Sequence, residues 1–150
     1  MVDASMAVPL GNALAAPAWL LLAASLFAPR LGPAAIAAAR FAIPALFALA
    51  YVPLAANGLG QAEGGGFATA AQIRALFADD SALAAGWLHY LAFDLFVGSW
   101  IAAQGRDAAV PALLLLPCLL LTWLFGPAGL LLFLLLRLAF RRRAQPEKAS

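Results

Sequence analysis

Asp94 and His89 stand in a stretch, Trp87 to Trp100, that is otherwise apolar nearly all round a helix. A helix apolar on every face belongs in lipid. There a carboxylate at mid-depth costs roughly 2.5–3.5 kcal/mol, so Asp94 must face a partner, a cavity or a ligand. His89 is the single histidine, and an imidazole is well suited to exchange a proton near neutral pH. The two residues are five positions apart, about 140° round a helix, too far for a direct hydrogen-bonded dyad. Each therefore needs a partner of its own. Proton transfer to a bound molecule is one use, and a hydrogen bond to another helix is the other.

Trp87 and Asp94 share a helix face, with Gly98 one turn beyond Asp94. An aromatic, a carboxylate and a glycine in line suit a slot for an elongated apolar ligand with a polar end. They suit a tight helix–helix contact equally well. Arg40 is the third ionisable group set in an apolar run. From its distance to the start of its own segment it lies about 9 Å deep, and Asp94 about 13–14 Å deep from the same side. An Arg40–Asp94 ion pair is thus geometrically open, as structural glue or as the lining of a polar pocket.

The elements that would position these groups follow from proline, glycine and hydropathy. One apolar segment runs from about Gly11 to Ala28, with Asn12 placed to cap it, and Pro29 to Pro33 break it. A second runs from about Ala34 to Ala55 and closes at Asn57-Gly58. The loop from Leu59 to Asp80 carries Gly64-Gly65-Gly66. Phe67, Ala70, Ile73 and Phe77 recur there at near-helical spacing, which predicts a short amphipathic helix in the membrane interface. Asp79-Asp80-Ser81 supplies caps for a third segment, about Ser81 to Ala103. The fourth runs from about Ala108 to Phe140. Gly126-Pro127 divides it into halves of about 16 and 14 residues, each short for a crossing, so one helix kinked there is expected.

Composition agrees with this all-α, polytopic membrane architecture of four transmembrane helices. The 150 residues are 65% hydrophobic and only 11% charged, where a soluble domain carries about 25% charged residues. Length fits one domain, residues 1–150. The short basic run Arg141-Arg142-Arg143 with Lys148 is a juxtamembrane anchor rather than a nucleic-acid surface. Four crossings put both termini on one side, and the basic tail places that side in the cytoplasm, although Arg30 and Arg106 fall opposite. Cys118, the single cysteine, reads as a small inert residue. One histidine and one cysteine form no ligand cluster, so neither a metal nor a cofactor is expected. No positive n-region or Arg- and Ser-rich transit segment opens the chain, and the usage of Ala, Leu and Arg suggests a bacterial inner membrane.

Leu76-Phe77, Ser81 through Trp87, His89 and Asp94-Leu95-Phe96 together resemble the abscisic-acid-deficient-four-like proteins, named for the plant neoxanthin synthase. Phe125-Gly126-Pro127-Ala128-Gly129 matches that family's aromatic-x-Pro-x-Gly element, and Asn12, Trp19 and Pro29 fit its first helix less specifically. The resemblance implies a four-helix membrane protein. It also implies a role in epoxide-to-allene isomerisation of a carotenoid, or binding of a related isoprenoid lipid. By position it nominates Asp94 and His89 as catalytic groups and Trp87, Phe96 and Pro127 as substrate contacts; Arg40 joins the substrate contacts from its depth beside Asp94 alone. The alternative reading is a non-catalytic membrane scaffold or accessory subunit. The expected partners are the lipid bilayer and a carotenoid or isoprenoid ligand.

Overall fold

The computed structural model describes the backbone of residues 3–143 and the side chains of residues 3–140. The basic tail expected at 141–150 therefore lies outside the described side chains. Among the described residues every regular element is a helix. The helices are α1 (Ala4–Ser25), α2 (Gly32–Ala37), α3 (Ile43–Gln61), α4 (Ala70–Leu76), α5 (Asp80–Asp107), α6 (Ala112–Phe125) and α7 (Pro127–Arg143). Three helical stretches are long and apolar enough to cross a membrane: Ala4–Ser25, Pro29–Gln61 and Asp80–Asp107.

Local chemistry explains the boundaries. Asp3 opens α1, its Oδ1 accepting from the Ser5 N–H at 2.9 Å. Asn12, expected at the cap, is instead well inside α1, where its side chain is free to bond another helix. The second crossing begins in a 3-10 turn at Pro29–Leu31 and changes to π-helix at Ala38–Ala42. In an α-helix the carbonyl of Arg40 would need the N–H of residue 44, which is a proline and has none. A wider turn just before Pro44 relieves that conflict. Gly58 does not end α3, which continues to Gln61. The glycine is there for close approach, since a Cβ on it would sit 2.5 Å from the Ala82 backbone nitrogen.

The fourth segment corrects the expectation of one kinked helix. Gly126 has φ +44° and ψ −94°, a conformation suited to glycine, and it ends α6. Beyond it α7 folds back. A Cβ on Gly129 would collide with the Thr122 backbone nitrogen and the Cys118 carbonyl of α6. In a merely kinked helix Gly129 and Cys118 would stand about 16 Å apart along the axis. With α6 at 14 residues and α7 at 17, the pair is a helical hairpin. It returns the chain to the side from which α6 starts. The expectation of both termini on one side rested on a single fourth helix.

The chain divides into two compact units. The first comprises residues 1–16 and 42–93, the second residues 17–41 and 94–150. Within the first, Gly11 of α1 lies against Leu88 and Leu91 of α5. Leu54, Leu76, Leu88 and Leu91 are its buried apolar side chains of larger size, beside Phe47. Within the second, Trp19, Leu22, Leu95, Ile101, Leu115, Cys118 and Phe133 form the interior. Gly105 admits the Leu115 side chain of α6.

Candidate functional site

In the first unit, His89 lines a cavity of about 260 Å³. α3 contributes Tyr51, Ala55 and Leu59 to it, and α5 contributes Ala82, Ala85, Gly86 and His89. Phe67, Leu76 and Phe77 come from the segment between those helices. That segment is held in shape by short-range bonds. Thr69 caps α4 by accepting from the Gln72 N–H at 3.2 Å, and Gln72 Oε1 accepts from the Ala68 N–H at 3.1 Å. Asp79 Oδ1 accepts from the Ala82 N–H at 2.9 Å and starts α5. The imidazole of His89 stacks on Phe93 at 4.4 Å between centroids, and Tyr51 stands 6.0 Å away at a tilt of 46°. Tyr51 and His89 are the two polar side chains of the lining. Gly86 keeps the space open, because a Cβ there would press on the Phe77 ring at 2.6 Å.

Trp87 belongs to the same unit but does another job. Its Nε1 donates to Asn12 Oδ1 at 2.8 Å, tying α5 to α1. Its ring leans on Tyr90, 5.4 Å between centroids. Asn57 Nδ2 donates to Ser81 Oγ at 2.8 Å and ties α3 to α5 in the same manner. Neither residue was singled out for this from sequence, because a polar residue near a helix end reads first as a cap.

Asp94, Phe96, Arg40 and Pro127 lie in the second unit. The Asp94 carboxylate rests against Gly126, where a Cβ would stand 2.9 Å from Oδ1. It thus sits at the N-terminus of α7, where the helix dipole favours a negative charge. Arg40 turns to Ser99, five positions beyond Asp94, in place of the ion pair that depth had left open. Its Nε donates to Ser99 Oγ and its Nη2 to the Ser99 carbonyl, both at 3.2 Å. The π-turn carrying Arg40 alters the register that a plain 1.5 Å rise assumes. The slot foreseen at Gly98 is filled from within: a Cβ there would sit 2.5 Å from the Trp19 ring. Trp19 is 3% exposed, so it is a packing residue, and it stacks on Trp123 at 6.1 Å. Phe96 is exposed on α5, and Pro127 is exposed at the start of α7.

An apolar groove of about 520 Å³ also lies in the second unit, lined by Trp19, Leu20, Ala23 and Trp123 with leucines and Pro117 of α6. It offers length and grease but no titratable group. The site residues nominated from sequence thus divide: His89 and Trp87 in one unit, and Asp94, Arg40, Phe96 and Pro127 in the other. His89 is the one of them that lines a described cavity.

No curated protein and no solved structure matches the chain. The family model for ABA DEFICIENT 4-like proteins matches residues 6–133, from the second turn of α1 to the middle of α7. The match takes in both units, the His89 cavity and the Gly126 reversal, so this chain is a membrane protein that belongs to the ABA DEFICIENT 4-like family.

Proposed function

We propose that the first unit binds the cyclic end of a carotenoid or other isoprenoid lipid in the His89 cavity. The observation that carries this is a wall of Phe67, Phe77, two leucines and small residues interrupted only by the Tyr51 phenol and the His89 imidazole. A whole drug-sized ligand fills about 300–1,000 Å³, so 260 Å³ suits one ring of a long lipid whose chain continues into the bilayer. On an epoxide-bearing ring, the His89 imidazolium in this reading gives its proton to the oxygen of the opening C–O bond. The imidazole, neutral once it has given its proton, takes one from the adjacent polyene carbon, which yields the allene and an alcohol, an isomerisation without net oxidation. In this reading Asp94 is a positioning residue that holds the α6–α7 reversal, and Trp87 and Arg40 hold helices together.

The test is pigment retention by detergent-purified protein from a carotenoid-producing bacterial host. Wild type, Gly86→Val and His89→Ala are compared. Gly86→Val is expected to lose the pigment while remaining folded, and His89→Ala to retain pigment but show no product. Equal pigment in wild type and Gly86→Val overturns the cavity as the site.

The hairpin also supports a topology with the C-terminus in the cytoplasm of a bacterial inner membrane. Three crossings followed by a returning pair put Arg30, Arg106, Arg137 and the 141–143 arginines on one side. Asp3, Glu63, Asp79, Asp80 and Arg74 fall on the other. This satisfies the positive-inside rule better than two cytoplasmic termini do. Reporter fusions at each end should give opposite signals, and like signals overturn it.

A further inference from the structure

We infer that the second unit binds the phosphate of anionic phospholipid headgroups at the C-terminal end of α5, through Arg106 and Arg137. Three arginines of this unit are half-buried, and each is held by neutral oxygen. Arg40 donates to Ser99 as described. Arg106 Nη2 donates to Ser25 Oγ at 2.9 Å, and its guanidinium lies over Gly32, where no Cβ would fit. Arg137 Nη2 donates to Gln104 Oε1 at 2.8 Å, with its guanidinium carbon 5.7 Å from the Trp100 ring centroid. Each guanidinium has five N–H donors, and the Nε atoms of Arg106 and Arg137 are enclosed without an acceptor among the described residues.

Among the described residues no carboxylate is bonded to Arg106 or Arg137. Asp94 is engaged at Gly126, and Asp107 accepts from Gln104 Nε2 at 3.3 Å. Asp3, Glu63, Asp79 and Asp80 belong to the first unit. A buried guanidinium N–H without an acceptor is costly, and a bidentate phosphate matches the guanidinium fork. Arg30, exposed in the turn beside Gly32, extends the same positive surface. Because Ser25 is fully buried, the Arg106 guanidinium is fixed in place before any lipid arrives, and Arg137 is held between Gln104 and the Trp100 ring. A surface lysine or arginine on a free stem has no such preorganisation.

The experiment measures thermal unfolding of the full chain in neutral detergent with added phosphatidylglycerol, phosphatidylcholine or inorganic phosphate. Phosphatidylglycerol is expected to stabilise wild type, and phosphatidylcholine and free phosphate are not. Competition between the two lipids should favour phosphatidylglycerol by roughly fivefold per arginine. Arg137→Gln and Arg106→Gln should each lower that preference, and Arg74→Gln in the first unit should leave it unchanged. If Arg106→Gln fails to fold, Arg137→Gln with Arg30→Gln decides the point. Equal stabilisation by both lipids overturns the inference. So does an undiminished preference in the arginine variants, or an equal effect of inorganic phosphate, which would make the ligand a free anion. A purely structural role would lower stability equally in every lipid.

Discussion

The two units use polar side chains in opposite ways. In the first, neutral groups on different helices bond to each other, Asn12 to Trp87 and Asn57 to Ser81, and the titratable His89 is left at a cavity. In the second, cations bond to neutral oxygens, Arg40 to Ser99, Arg106 to Ser25 and Arg137 to Gln104. Among the described side chains Arg74 is the one arginine of the first unit, and Arg30, Arg40, Arg106 and Arg137 fall in the second. A neutral pair is complete once made and asks nothing of the surroundings. A guanidinium held by serine keeps its charge and most of its donors, so it fixes a helix and still presents charge outward. The difference separates a region suited to an apolar ligand from one suited to a charged surface.

The largest effects should come from the glycines that let backbones touch. Gly129→Leu would drive a side chain into the Thr122 and Cys118 backbone, and Gly58→Leu into that of Ala82. Neither neighbour can yield as a flexible side chain would. Both variants are expected to lose the folded, monodisperse state in size-exclusion chromatography, a cost beyond about 4 kcal/mol. Gly60, with nothing within 4 Å, is the control, and Gly60→Leu should elute as wild type. If Gly129→Leu is tolerated, α6 and α7 are not a hairpin.

Next in size is the core. Phe133 is fully buried and meets Trp100 edge-on at 5.4 Å. Phe133→Ala should cost about 3–5 kcal/mol in thermal or denaturant unfolding. Leu76, 4% exposed under the His89 cavity, borders existing space, so Leu76→Ala should fall at or below about 2 kcal/mol. A reversal of that order would mean that the first unit, not the second, carries the better-packed interior.

Much of this was legible in the sequence, and the exceptions are instructive. Uninterrupted apolar runs and proline clusters establish an all-helical membrane chain, because lipid leaves the backbone no other way to satisfy itself. The reversal at Gly126 was not legible. Gly-Pro permits a kink or a turn, and the choice depends on whether Gly129 can seat against α6, a tertiary fact. Asn12, Asn57 and Gly58 were misread for a related reason. Each has a local use, cap or stop, that competes with a long-range one, and sequence spacing speaks only to the local use. His89 was identifiable as unusual in type. Its cavity was not, because Tyr51 and Phe67 lie far from it along the chain.

Smaller effects test the polar pairs themselves. Ser99→Ala removes the oxygen that Arg40 Nε relies on and leaves a half-buried cation under-solvated, a cost of about 1–3 kcal/mol. Arg40→Met removes the cation instead. Ser99 Oγ still donates to the Phe96 carbonyl at 2.7 Å, so nothing is orphaned and the variant should lie within about 1 kcal/mol of wild type. The double variant should resemble Arg40→Met alone, because without the cation the serine has little left to do. Equal costs for the two single changes would mean that the pair is ordinary glue.

The matching experiment in the first unit is Trp87→Phe, which keeps an aromatic against Tyr90 but deletes the donor to Asn12. Trp87 is 40% exposed, and the abandoned Asn12 oxygen sits on an exposed residue. The loss should be about 0.5–1.5 kcal/mol, the net worth of one neutral hydrogen bond. Asn12→Ala should cost a similar amount, and the double variant no more than either single change. That symmetry is the expected mark of a neutral pair, where either partner can be removed at similar cost. In the Arg40–Ser99 pair the cost depends on which partner goes. Asymmetric losses at Trp87 and Asn12 would remove the distinction between the units. Symmetric losses, beside asymmetric ones at Arg40 and Ser99, would tie it to charge rather than to burial.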